Sequence, residues 1–163
     1  DRSIVERMLQ SEADLTLGGD RASAEYAAGA GATAAEPPKS RDLVAFDRAP
    51  EVGYRYLPSE ELRRVRRIGE QLDPKEAHGE FIGLAMFSEK GSAAVHAAYQ
   101  KASSEFRGKA FHEAPSFERA SFTDLLQHLI DAGVAVSAVE IYKGWMEVDT
   151  FEDYQRAWAQ VPT

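Results

Sequence analysis

No cysteine occurs among the 163 residues of the chain. That excludes a disulfide framework and any thiolate metal site, and with them a small secreted domain held by cross-links. An excess of positive charge is missing too: 19 Lys and Arg face 27 Asp and Glu, for a net charge of −8. A non-specific nucleic-acid binder carries a basic stripe, so this balance points away from that class. A nucleotide substrate stays compatible, because small ligands respond to local fields. No apolar run approaches the roughly 18 residues of a membrane span, and no signal peptide is visible. The cytoplasm is the default expectation. GxxxxGK[ST] and GxSxG are both absent, which removes a P-loop and a nucleophile elbow. An initial Met is absent as well: Asp1 leads straight into an amphipathic stretch, and the chain reads as cut from something longer.

What is present suits one domain. The 44% hydrophobic content is ordinary for a globular chain, and a chain of this size buries roughly two thirds of its unfolded surface. "DRSIVERMLQ" predicts a helix capped by Asp1 or Ser3, with Ile4, Val5, Met8 and Leu9 on one apolar face. "ADLTLGG" reads as a short strand closed by its glycines. Residues 21–40 are rich in Ala, Gly, Ser and Pro and read as a loop-rich insertion on the surface. Strands are expected at 42–46 and 52–57. "ELRRVRRIGEQL" admits two readings. Leu62, Val65, Ile68 and Leu72 keep helical spacing, while Val65 to Ile68 also suits a short strand ended by Gly69.

"GEFIGLAMFS" (79–88) is nearly all apolar and reads as a buried strand. Helices are expected at 89–106 and 121–133. In the second, Ser121 is the N-cap, Phe122, Leu125, Leu126, Leu129 and Ile130 form the buried stripe, and Gly133 ends it. A strand follows at 134–142, then the short extended "WMEVD". A last helix begins at Thr150, with Asp153 placed for a capping box. The alternation of strands and helices predicts an α/β fold, with a mixed, mostly parallel sheet covered by helices on both faces.

Few motifs carry chemistry. "GAGATA" (29–34) has the spacing of a dinucleotide fingerprint, but "AEYAA" before it and "AEPPKS" after it supply neither the strand nor the helix that the mechanism needs. The four histidines, His78, His96, His112 and His128, include no i, i+4 pair of the kind found in helical zinc sites. Packing or surface roles suit them, with His78 also placed to reach a ligand from a strand start. "GWMEVDT" is the richest stretch. Glu147 and Asp149 alternate and so share one face of an extended segment. Such a pair needs something positive opposite: Lys or Arg, solvent, or a metal ion. At the carboxyl end of a strand Asp149 suits Mg²⁺ beside nucleotide phosphates; beside Thr150 it equally suits a helix cap.

"HGEFIGLAMFS", followed after a helix by "SFTDLLQHLIDAGVAVSAVEIYKGWMEVDTFEDYQRA", closely resembles the later part of a nucleotidyltransferase family. These are the cytidylyltransferases that activate phosphocholine or 2-aminoethylphosphonate. They are similar to the sugar-phosphate and MobA-like NTP transferases, and some are fused to phosphoenolpyruvate mutase. "DRSIVERMLQSEADLTL" also looks like the family's central helix and strand. The resemblance implies a three-layer Rossmann-like fold, of which residues 1–163 are the C-terminal portion. It implies CTP bound with Mg²⁺ and transfer of CMP to a small zwitterionic phosphate or phosphonate. By position, Asp149 looks like the second of two metal-binding aspartates, with Glu147 supporting it or meeting the substrate ammonium. Glu80 and Asp124 look like acceptor-pocket residues, and Trp145 and Tyr142 would supply aromatic faces for a cation. Asp124 also falls where a carboxylate suits the dipole of its helix, and Trp145 also suits a core.

The family's glycine-rich loop with its Arg, the following Lys and the first metal aspartate have no counterpart in this chain. It therefore resembles the acceptor half. Little turnover is expected from it alone, and exposed apolar strand edges are expected where half a sheet is missing. A missing N-terminal half, a partner chain or a homo-oligomer would complete it. A sugar-phosphate acceptor, or a non-catalytic binding or assembly domain, are the alternatives.

Overall fold

The computed structural model describes residues 2–22, 41–50, 62–148 and 150–160. In chain order its elements are α1 (Arg2–Leu9), β1 (Leu15–Asp20), β2 (Leu43–Phe46), β3 (Arg63–Gly69) and β4 (Gly79–Phe87), then α2 (Glu89–Glu105) and one 3₁₀ turn (Phe117–Arg119). α3 (Phe122–Asp131), β5 (Val136–Ile141) and α4 (Phe151–Gln160) complete it. The expected strand at 52–57, the bulk of the 21–40 insertion with its "GAGATA" motif, and the Asp1 cap lie outside the described residues.

The five strands form a closed barrel in the order β1-β4-β2-β3-β5, with β5 returning to β1. This corrects the expected open three-layer Rossmann-like sheet. Only β1 and β5 run parallel; β1–β4, β2–β3, β2–β4 and β3–β5 are all antiparallel. β5 reaches both β1 and β3, so each strand has two neighbours and the expected bare edges do not arise. Closure needs bends, and two irregularities supply them. One lies where Leu17 pairs with Ala85 but Gly19 with Phe81, so that β4 carries two extra residues opposite β1. Gly18 sits there because a Cβ would come within 2.9 Å of Ile82. The glycines do not end the strand, which pairs with β5 in unbroken register as far as Asp20.

The second irregularity settles the ambiguous segment as a strand. Ala45 pairs with Arg67 but Phe46 with Val65, so β3 carries one extra residue at that point. A bulge lets residues three apart face the same side. Val65 and Ile68 both enter the main core for this reason, which is why their spacing imitates a helix. That core joins Leu15, Leu17, Phe46, Phe81, Val136 and Ala138 to Leu126 and Leu129 of α3. Ile4 and Met8 of α1 cover the other side, with Val139 and the half-buried Ile82, Leu84 and Met86. β4 is thus clothed on both faces, which accounts for its nearly unbroken apolar run. Beyond Phe81, however, its residues are only half-buried, and Gly83 is exposed.

The helix signals behave as their chemistry requires. Ser121 and Asp124 form a reciprocal capping box on α3. Thr150 and Asp153 do the same on α4, with bonds of 3.0 and 3.1 Å. Gly133 follows α3 in the left-handed region at φ +85°, where a side chain would be strained. The expected stripe of α3 is buried at Leu126 and Leu129, half-buried at Leu125 and Ile130, and exposed at Phe122. Residues 145–148 belong to no strand. No helix among the described residues is long and apolar enough to cross a membrane.

Candidate functional site

β1 and β5 run parallel and finish side by side at one end of the barrel. There Asp20 lies opposite Ile141, and Gly19 opposite Glu140. β4 starts at the same end, with Glu80 opposite Asp20. Three carboxylates far apart in sequence thereby lie near this end, Asp20 and Glu80 on one face of the wall and Glu140 on the other, all of them buried: Asp20 at 4%, Glu80 at 9% and Glu140 at 1% exposure. Buried carboxylates are costly without counter-charges or donors, and the fold supplies both. Arg63 Nε stands 3.3 Å from one Glu140 oxygen and Arg21 Nε 3.5 Å from the other. Arg7 donates to the Glu140 carbonyl at 2.8 Å. Arg41 Nε lies 4.0 Å from Glu80.

Asp20 is held by donors instead. Its Oδ1 accepts the backbone N–H of Ala22 at 3.0 Å and of Lys143 at 2.9 Å, and its Oδ2 accepts the indole N–H of Trp145 at 2.8 Å. The chain turns sharply after β5, with Lys143 and Gly144 both left-handed at φ +62° and +85°. Tyr142 is exposed beside the turn, with the Lys143 ammonium 5.4 Å from its ring centre. The result is a barrel end that carries carboxylates, arginines and two aromatic rings.

Glu80, Tyr142 and Trp145, expected from the sequence, all lie at this end, Glu80 at the start of β4 and the two aromatic residues just past β5. Asp124 does not. Its Oδ2 accepts from the Ser121 N–H at 2.8 Å and hydroxyl at 3.0 Å, and its Oδ1 from the Glu113 N–H at 2.9 Å. It lines a separate cavity of about 330 Å³ with Arg67, His112, Glu113, Gln127 and Asp131. Glu147 is exposed to solvent. Asp149, and with it the shared face of the Glu147–Asp149 pair, lies outside the described residues. Among those described, no group of three or more His, Cys, Asp or Glu is arranged to hold a metal ion.

The histidines divide. His78 accepts the Phe46 N–H at Nδ1 (2.9 Å) and stacks on the Phe46 ring, so it packs. Burial, with Arg66 and Arg21 nearby, holds its pKa below the ordinary value. His96 is exposed on α2. His112 and His128 come together across the cavity wall, Nε2 to Nδ1 at 3.3 Å, with Asp131 3.8 Å from His112 Nδ1. Burial, then the neighbouring His112, lowers the pKa of His128. Near this cavity Asp42 is pushed up, chiefly by burial and further by Glu70, Glu113 and Asp124, although Thr123 donates to it at 2.9 Å.

Sequence reasoning passed over Asp20, Glu140 and their arginines. A signal was present: "TLGGD" ends in a carboxylate and "AVEIY" carries one close to its end, and the ends of parallel strands meet. No protein-family model matches the chain, and no curated protein matches it.

Proposed function

We propose that the chain binds the acceptor in a CTP-dependent nucleotidyltransferase, one that moves CMP onto a small zwitterionic phosphate or phosphonate such as phosphocholine or 2-aminoethylphosphonate. One observation carries this: the elements that meet at the barrel end bring carboxylates, arginines and two aromatic residues to it. Glu80 with Trp145 and Tyr142 suits an ammonium. Arg41, beside Glu80, suits a phosphate or phosphonate; Arg21 and Arg63 are held by Glu140. The barrel departs from the sheet that the resemblance implies, so support comes from these side chains and the sequence strings, not from the fold.

In the proposed reaction an anionic oxygen of the acceptor attacks the α-phosphorus of CTP in line. The new O–P bond forms as the bond to the β-phosphate oxygen breaks, and pyrophosphate leaves. The attacking oxygen is already anionic, so positioning and charge neutralisation do most of the work. The described residues do not themselves form a Mg²⁺ site. The ion belongs to the proposal through Asp149 alone, with Glu147 beside it, and no step is derived through it.

Pyrophosphate release from CTP by the full-length protein tests the assignment, with phosphocholine, 2-aminoethylphosphonate and a hexose phosphate as acceptors. Turnover with the two zwitterions is expected, and loss of it in Asp149→Asn with the fold intact. A capping role for Asp149 would instead cost about 1 kcal/mol of stability and leave turnover standing. Turnover with none of the three acceptors overturns the enzyme assignment. A binding or assembly domain is the second reading, favoured by Phe151, Tyr154 and Trp158, which are 51–71% exposed along α4.

A further inference from the structure

We propose that Asp20 is a positioning residue: its buried carboxylate fixes the turn after β5 and so aims Trp145 at the mouth of the site. The ligand in question is that of the function proposed above, and to that extent the inference rests on it.

Asp20 is the last residue of β1, locked between β4 and β5 by pairing with Glu80 and Ile141. Its backbone is therefore among the better-fixed points at this end of the barrel. The segment it touches is of the opposite kind. Residues 145–148 belong to no strand or helix, and Met146, Glu147 and Val148 are exposed. Lys143 adopts φ +62°, a region unfavourable for any residue with a Cβ. That conformation presents the Lys143 N–H to Oδ1 at 2.9 Å, while the Trp145 indole reaches Oδ2 at 2.8 Å. Two bonds from one carboxylate thus span both sides of Gly144 and set the direction in which the chain leaves the barrel. Hydrogen bonds to an ionised acceptor are short and strong, which suits an anchor.

The same geometry argues against direct ligand contact by Asp20. Three N–H groups already point at its two oxygens, the third being that of Ala22. Three of about four acceptor sites are thereby used, which leaves little capacity for a bound cation. Asp20 therefore acts through Trp145, whose ring it holds by the nitrogen edge. An asparagine at this position would present an amide NH₂ to an N–H donor, and one of the two anchoring bonds would be lost.

The test compares the full-length wild type with Asp20→Asn, Trp145→Phe and the double variant. The first readout is the Trp145 indole N–H resonance, assigned by its loss in Trp145→Phe. In Asp20→Asn it should move towards the position of a free indole and lose protection from hydrogen exchange. The second readout is phosphocholine affinity. Asp20→Asn should weaken it, because Trp145 loses the bond that orients it. The double variant should bind no more weakly than the worse single one, because the two residues act as a unit. An indole resonance unmoved by Asp20→Asn, or losses of affinity that simply add, would overturn the role. Should the wild type not bind phosphocholine, the functional proposal fails, yet the indole resonance and the exchange of the Lys143 amide still judge the anchor. Should Asp20→Asn not fold, the wild type decides: slow exchange at both N–H groups is expected, and rapid exchange at both overturns it.

Discussion

α3 and α4 are built alike and end up in different surroundings. Each has ten residues. Each opens with a hydroxyl residue and an aspartate in a reciprocal box, and each carries an apolar stripe. On α3 that stripe sends Leu126 and Leu129 into the barrel core. On α4 it leaves Phe151 68% and Trp158 71% exposed, each stacked loosely on Tyr154. Local sequence therefore decides that both segments are helical. Which stripe is buried is decided elsewhere, by whether the barrel offers a matching apolar surface.

The difference is sharpest under substitution. Leu126→Ala should open a cavity where α3 meets the barrel and cost about 2–5 kcal/mol, read as a shift in denaturant midpoint at unchanged slope. A loss under 1 kcal/mol would mean that α3 is no better packed than α4. A smaller, graded effect should follow acid. The folded pKa values of His128 and His78 lie below the ordinary 6.5, so the folded state binds fewer protons there than the unfolded chain. Stability is then complete above that value and declines as pH falls through it. Asp42, whose pKa is raised, works in the other direction and only where carboxylates titrate. α4 carries no histidine, so the loss between neutral and mildly acid pH should disappear largely in a His78→Gln, His128→Gln variant. The smallest effect belongs to Trp158→Ala, expected within about 0.5 kcal/mol of wild type in chemical denaturation. A larger loss would show that the exposed stripe is packed after all.

Local chemistry made parts of this molecule legible. Ser121 with Asp124 and Thr150 with Asp153 announced two helix starts, because the donors they satisfy lie within four residues. Strand existence was equally readable in "LVAF" and in "VSAVEI". The barrel was not, since its closure depends on pairings such as Leu15 with Val136 and Arg63 with Ala138, which no local window contains. The alternation of strands and helices suggested parallel neighbours, whereas the chain mostly folds back on itself. The site was half legible for a related reason. Glu80, Tyr142 and Trp145 stood in recognisable strings. Asp20 stands just past two glycines, which read as the end of a strand. Glu140 sat within an otherwise apolar run. Neither declares itself until β1 and β5 lie side by side.

The parallel seam between β1 and β5 also has a kinetic side. Its partners come from opposite ends of the described chain, so it cannot be zipped up from a neighbouring turn, and a large loop must be closed before any of its contacts form. During synthesis, β1 through β4 emerge while the barrel is still open. Their apolar faces have to wait for Val136–Ile141 to leave the ribosome before the wall is complete. Until then the strands flanking the gap are where mispairing with other chains would begin.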